Sequence, residues 1–284
     1  MARVTAIIIV LNGEAYLKEA IDSVVRQTFQ DWELLVIDDG SSDRTLSIAR
    51  AFAQSDKRIR VMQHPDCATH GMSATRNLGL HEALGEYVAF LDADDVWLPE
   101  KLAEQVEILE RNPSVAMVYG QTLIWRDWPG SAGGDDFVYS LGVSPDAIYS
   151  PPRLFLQLLE NVHQTPTTCN AMIRRDRALD VGGFDASFRD MFEDQVFFGK
   201  LLMIHPAYVS SQCWAKYRQH DSSASSRTIQ ADIDVAHLRY LRALRTFLIA
   251  RGKRLSSERL ALEVKIRRIA ASRLRARARH LLRA

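Results

Sequence analysis

Apolar residues fall in short runs through the first 120 positions, and the runs alternate between two periodicities. Positions 4–10 are apolar or β-branched throughout, as in a strand buried on both faces of a parallel sheet. After turn residues Asn12 and Gly13, the apolar positions Ala20, Ile21, Val24 and Val25 keep helical spacing and predict a helix within 14–28. Positions 32–37 predict a second buried strand, running into Asp38, Asp39 and Gly40. Ser41, Ser42 and Asp43 then offer capping side chains for a helix over 45–53. A third strand is expected at 59–63, a helix at 73–84 with Gly85 as its stop, and a fourth strand at 87–91. Pro99 opens a helix over 98–111, and 115–119 is a further strand. This alternation predicts an α/β fold with a mostly parallel central sheet flanked by helices.

Beyond residue 120 the texture changes. Positions 127–152 are rich in glycine and proline and read as a long mobile surface loop. Strand-like pieces follow near 171–173 and 207–209. From Ile233 the chain turns helical and arginine-rich, with Leu238, Leu241, Leu244 and Leu248, then Ile266, Ile269 and Ala270, at helical spacing. The expected organisation is a body over 1–225, divided near 120, and a basic helical extension over 226–284.

Composition changes this picture in one respect. A chain of 284 residues with 47% hydrophobic and 25% charged residues is ordinary for a soluble globular protein, and a net charge of +1 gives no nucleic-acid footprint. The charge is segregated, however: 16 Lys/Arg against 4 Asp/Glu lie from Arg227 onward, leaving the body acidic. Such a tail suits either an anionic lipid surface or packing on the acidic body or a second subunit. Cys67, Cys169 and Cys213 are widely spaced and form neither a zinc pattern nor a disulfide framework, which fits a reducing compartment. The apolar run 6–11 is too short for a signal peptide and no other run reaches membrane-spanning length, so a cytoplasmic protein is expected, peripheral at the inner membrane face if the tail binds lipid.

Five clusters are candidates for chemistry. Asp92, Ala93, Asp94 and Asp95 follow the fourth strand, at the carboxyl end where open α/β sheets bind ligands. Carboxylates so close repel one another unless a cation intervenes, and Mg2+ or Mn2+ with phosphate oxygens suits such a site, although one Asp-x-Asp alone is more often a capped turn. Asp38, Asp39 and Gly40 end another buried strand, where a carboxylate can accept from a base or ribose or simply cap the next helix. Gly71 precedes a helix carrying Arg76 on its first turns, suited to phosphate or to a surface ion pair. Glu193 and Asp194 sit among Phe192, Val196, Phe197 and Phe198; desolvation there would raise one pKa toward general-base work, or the pair would cap a helix. Arg218 and His220, two apart on an extended segment, face one side and could meet a diphosphate and a metal, or be structural.

Taken in order, these pieces resemble family 2 glycosyltransferases of the GT-A fold. The match runs through 4–13, 20–28, Leu34 to Asp43, Ala74 to Gly79, Gly85 to Asp95, the Gly182, Gly183, Phe184, Asp185 turn, Glu193-Asp194, and Tyr217 to His220, over about the first 225 residues. The resemblance implies an inverting transferase using a nucleotide-sugar donor, with UDP favoured, and Mn2+ or Mg2+. It implies Asp194 as catalytic base and Asp94, Asp92 and His220 at the metal. It implies Val10, Leu11, Glu14, Asp39, Arg76, Asp92 and Arg218 around the donor, in a nucleotide-binding half over 1–120 and an acceptor-binding half over 121–225. The acceptor would be a hydroxyl of a glycan, a lipid-linked glycan or a small molecule. One departure weakens the choice of nucleotide: the family's Pro-x-Tyr-Asn reads Ile9-Val10-Leu11-Asn12 here, which removes an aromatic stacking surface.

Trp125, Trp128, Tyr139 and Tyr149, with the segment 163–168, are candidates for the acceptor side or ordinary packing residues. Two other functions compete. A sugar-1-phosphate nucleotidyltransferase would want a glycine-rich phosphate loop after the first strand, and Leu11-Asn12-Gly13-Glu14 is not one. A non-catalytic nucleotide-sugar-binding module would be marked by loss of Asp194 or of the Asp-x-Asp, and both are present. No G-x-G-x-x-G follows a strand, which disfavours a dehydrogenase.

Overall fold

The computed structural model describes residues 2–131, 133–189, 191–220, 230–253 and 256–281. Strand and helix alternate through the first half: β1 (Val4–Val10), α1 (Leu17–Val25), β2 (Trp32–Asp38), α2 (Thr45–Ser55), β3 (Ile59–Gln63), α3 (Met72–Glu82), β4 (Tyr87–Asp92), β5 (Val96–Trp97), α4 (Lys101–Arg111) and β6 (Met117–Trp125). The second half continues with β7 (Phe137–Val138), β8 (Ala147–Tyr149), α5 (Arg153–Glu160), β9 (Met172–Arg174), α6 (Arg175–Asp180), α7 (Glu193–Ile204), β10 (Ala207–Arg218), α8 (Gln230–Ala250) and α9 (Ser257–Leu281).

These strands form one mixed sheet ordered β3-β2-β1-β4-β9-β6-β10-β5, with β7 beside β6 and β8 beside β10. β1 runs parallel to both β2 and β4, in a register that pairs Val4 with Trp32 and with Tyr87. β9 is antiparallel to both its neighbours, β4 and β6, and so joins two parallel blocks. Every residue of β1 and β2 is buried, because helices cover both faces. Ile7, Ile9, Leu35 and Ile37 face a core shared with Phe184, Phe197 and Leu244, while Ala6, Ile8, Leu34 and Val36 face one shared with Ala20, Ile21 and Val24 of α1.

Three expectations are corrected. The helix expected within 14–28 is the shorter α1, since Asn12 has a positive φ and the turn after it extends to Tyr16. The loop 127–152 is partly pinned, with Val138 paired to Leu123 and Tyr149 to Ala207. Two- and three-residue edge strands carry too little periodicity to be read from sequence. Gly85 does not cap α3 in a left-handed turn; it permits close approach, since an added Cβ would lie 2.6 Å from the Thr5 nitrogen.

The boundary expected at 225–226 lies outside the described residues. Beyond it Leu238, Leu241, Leu244 and Leu248 of α8 are buried, as their spacing predicts. Gly199 of α7 admits Leu244, whose Cδ2 would stand 3.0 Å from a Cβ placed there. Arg251 reaches Asp180 of the body at 3.3 Å, and α9 buries Leu262 and Ile266. Among the described residues no helix is long and apolar enough to cross a membrane.

Candidate active site

The loops leaving β1 and β2 are laced together at the carboxyl edge of the sheet. The Asn12 N–H donates to Ser41 Oγ at 2.8 Å, Gly13 N–H to Thr45 Oγ1 at 2.8 Å, and Glu14 N–H to Asp43 Oδ2 at 3.1 Å. Ser41 therefore serves the neighbouring loop, and the residue at the cap position of α2 is Arg44, which makes no side-chain capping bond. Backbone and side-chain hydrogen bonds from Arg44 hold the Glu14 carboxyl below the usual carboxylate range. Val10 is buried here, whereas Leu11 is 47% exposed.

Asp39 is buried and accepts the backbone N–H groups of His70 at 2.8 Å and Gly71 at 2.9 Å. Its carboxylate thereby fixes the segment that leads into α3. His64 lies 3.5 Å from the same carboxylate and stacks on the His70 ring at 4.0 Å. Gly40 is required at this turn, because its φ is +88° and a Cβ would sit 3.1 Å from the Cys67 carbonyl oxygen.

Arg76, on α3, is the point where three motifs meet. Its guanidinium donates to Asp92 Oδ1 at 2.6 Å and to Glu193 Oε1 at 2.8 Å, while only 2% exposed. Burial alone would favour losing the proton, but the two carboxylates outweigh it and keep the group firmly charged. The other Asp92 oxygen accepts from Thr168 Oγ1 at 2.7 Å. Asp194 stands beside Glu193 at the first turn of α7 and accepts the Gln195 N–H at 2.7 Å. Desolvation, then the Glu193 charge, push its pKa up to about 7, with Arg76 opposing in part.

The remaining acids are served by β10. Asp94 Oδ2 lies 2.9 Å from His220 Nε2, and its carbonyl accepts from Arg218 Nε at 2.8 Å. Asp95 is buried and accepts the Arg218 N–H at 3.0 Å; desolvation and the charges of Asp94 and Asp92 hold its carboxyl well above the usual range. Within the cluster Asp92 pairs with Arg76 and Asp94 lies beside His220, while burial and the two neighbouring charges raise the Asp95 carboxyl.

Two sequence readings change here. Arg218, expected to face a diphosphate, is enclosed: it pairs with Glu19 at 2.5 Å and packs against Trp125, Trp128 and Tyr16 at 4.4, 4.8 and 5.0 Å from the ring centroids. Trp125 and Trp128 accordingly line an arginine, not an open sugar platform. The expected ligand set of Asp94, Asp92 and His220 does not assemble as three, because Asp92 is engaged by Arg76 and Thr168. Among the described residues no three His, Cys, Asp or Glu side chains converge for a metal. What remains is the Asp94–His220 pair. An oxygen–nitrogen pair of this kind could hold Mn2+.

Glu19 and Tyr16 at this edge carry no sequence signal, and Thr168 entered only as the end of the segment 163–168 considered for the acceptor side. The segment carrying Thr168 is anchored from below by Asn170, whose carbonyl accepts from Lys101 Nζ at 3.1 Å and Gln105 Nε2 at 2.7 Å. Lys101 is fully buried, and desolvation lowers its pKa to about 7. Only the fold shows what these side chains meet.

A doubly covered α/β sheet with basic and acidic side chains gathered on the carboxyl edge of its strands is the class of fold that binds its ligands at that edge. The family model for glycosyl transferase family 2 matches residues 5–182, and the chain belongs to that family. It is a glycosyltransferase. It is 30% identical over 229 residues to an uncharacterized glycosyltransferase of Rickettsia typhi, covering 80% of this chain and 67% of that protein. It is 38% identical over 109 residues to a UDP-Glc:alpha-D-GlcNAc-diphosphoundecaprenol beta-1,3-glucosyltransferase of Escherichia coli, covering 38% of this chain and 41% of that one. Its fold is similar to that of S. aureus TarS in complex with UDP-GlcNAc, with a TM-score of 0.68 and 20% identity over 88% of this chain and 67% of that one. It is also similar in fold to a mannosyltransferase from Pyrobaculum calidifontis in complex with GDP-Man and Mn2+, with a TM-score of 0.56 and 18% identity over 95% of this chain and 80% of that one.

Proposed function

We propose that the chain transfers a sugar from a nucleotide diphosphate donor, UDP-linked in preference, to an acceptor hydroxyl with inversion at the anomeric carbon. The observation that carries this reading is the Arg76 bridge, which joins Asp92 on the strand edge to Glu193 beside Asp194. In this reading the donor lies across 1–120, with its base between Leu11 and Asp39, and the acceptor enters over the second half, 121–225. Asp39 keeps acceptor capacity beyond the two backbone N–H groups it already holds.

Asp194 accepts the acceptor hydroxyl proton as the oxygen attacks the anomeric carbon, and the nucleoside diphosphate leaves from the opposite side. A pKa near 7 places this carboxyl where it is ionised in a useful fraction yet basic enough to take that proton. Arg76 bridges Asp92 and Glu193, and its charge opposes a further rise of the Asp194 carboxyl. Mn2+ or Mg2+, held by Asp94 and His220, would supply charge neutralisation for the departing diphosphate. Arg218 holds the turn that carries Asp94. The family-level similarity to a transferase named for a lipid diphosphate acceptor supports a glycan or lipid-linked acceptor for this chain too. The outer face of α9, where Leu260, Val264, Arg267 and Arg268 are exposed, fits an anionic lipid surface near such an acceptor.

Calorimetric titration of UDP with and without Mn2+ or Mg2+ tests the donor and metal assignments together. Tighter binding with the ion is expected, and loss of that gain in Asp94→Ala. Binding of equal strength without the ion would remove the metal from the reading.

A further inference from the structure

Helix α8 lies in the basic tail, outside the matched region 5–182, yet its side chains reach the stretch that delivers Asp194. Phe192, the residue before Glu193, has a φ of +66°, a left-handed backbone that strains a bulky side chain and persists only where neighbours enforce it. The neighbours that enforce it come from α8. The Phe192 ring stacks on Tyr240 at 5.2 Å with 11° between planes, and on His237 at 5.2 Å with 23°. One residue along, Arg239 donates to the Ser187 carbonyl and lies 4.7 Å from the Phe188 ring centroid. α8 thus grips the approach to α7 at two places, Ser187–Phe188 and Phe192.

Tyr240 adds a polar group to this contact. Its hydroxyl is buried and without a hydrogen-bond partner among the described residues. Burial first, and the Asp194 charge second, hold the phenol in its neutral form. An unpartnered buried donor within electrostatic reach of a carboxyl can stabilise the carboxylate's charge.

We propose that α8 is a working part of the active site: His237 and Tyr240 latch Phe192 in its left-handed conformation, Arg239 fixes Ser187 and Phe188, and together they are positioning residues that aim Asp194 at the acceptor. This rests on Asp194 being the base. The tail would then do more than attach the enzyme to a surface, since an event that lifts α8 would release the base and switch transfer off with the donor site intact.

Phe192→Gly separates the latch from the fold. Glycine adopts a positive φ without strain, so the backbone conformation remains accessible while the ring contact is lost. The expected result in the 284-residue chain is a fall in kcat of at least about tenfold, because misplacing a catalytic group by an ångström costs up to ~100-fold. The melting temperature should change little and UDP affinity should stay within about twofold. Arg239→Ala should lower kcat in the same way and Arg239→Lys should recover part of it. Tyr240→Phe keeps the ring and removes the hydroxyl; it should move the acid limb of the pH–rate profile upward. Asp194→Asn is measured alongside. If it abolishes transfer while Phe192→Gly and Arg239→Ala keep wild-type kcat and Tyr240→Phe leaves the pH profile in place, the latch is overturned and the base stands. If Asp194→Asn itself transfers at wild-type rate, the base assignment has failed, and the cause is distinguishable from a failed latch.

Discussion

At the scale of single residues, Asp194 and Arg76 set the behaviour of the site. Because Asp194 must be ionised to accept a proton, kcat/KM should fall about tenfold per pH unit below pH 7 and level off above it. Asp194→Asn should bind UDP as wild type does and lose transfer. Its stability should carry an opposite signature. The folded-state pKa lies above the 3.8 of an ordinary aspartate, so the folded state holds this proton more tightly than the unfolded chain. The group then favours folding less and less as pH rises from about 3.8 to about 7, and its unfavourable contribution is full above that. Asp194→Asn should therefore melt higher than wild type at pH 8, with the gap closing toward pH 4. Melting curves at several pH values check this, and an unchanged gap would contradict the raised carboxyl pKa. Arg76→Ala leaves Asp92 and Glu193 facing each other without their cation, and should cost about 3–5 kcal/mol in urea denaturation, as removal of one partner from a buried ion pair does.

At the scale of elements, α3 matters because it carries Arg76 onto the sheet at close range. Gly79 makes that approach possible: an added Cβ would stand 2.6 Å from Ile7 Cγ2 and 2.7 Å from Ile37 Cδ1. Gly79→Ala should destabilise the protein by about 1–3 kcal/mol through overpacking. It should also raise the KM for the donor more than Asp194→Asn does, since the displaced helix moves Arg76 away from Asp92. A variant that melts like wild type and keeps its donor KM would show that the helix can shift without cost. β9 acts in a comparable way on the other side, since its antiparallel pairing places Thr168 and Asn170 at the edge where Asp92 ends β4.

At the scale of the whole molecule, the two helices of the basic tail differ in what they expose. α8 folds back on the body through its leucines, through Arg239 and, just after the helix, through Arg251, whereas α9 keeps Leu260 at 67% and Val264 at 41% exposure in line with exposed Arg267 and Arg268. The chain should sediment with vesicles containing anionic phospholipid at low salt and release as salt rises. Leu260→Glu with Val264→Glu should weaken that binding while leaving transfer to a soluble acceptor unchanged. Equal binding to neutral vesicles, or none to anionic ones, would refute a lipid-facing α9.

The sequence by itself determined the periodic part of this protein. Buried parallel strands are apolar without interruption and helices repeat every three to four residues, so β1 to β4 and the leucine face of α8 were legible, as was the concentration of acids at strand ends. The short edge strands β7 and β8 were not, because two or three residues carry no period. Only the tertiary structure decided what neutralises each acid, since Arg76 meets Glu193 across 117 positions and Arg218 meets Glu19 across 199. Coulomb energy depends on distance and burial, which a linear chain does not record. The same holds for Phe192: a phenylalanine before an acidic pair reads as packing, and its left-handed backbone and its partners on α8 exist only once the tail has folded back onto the body.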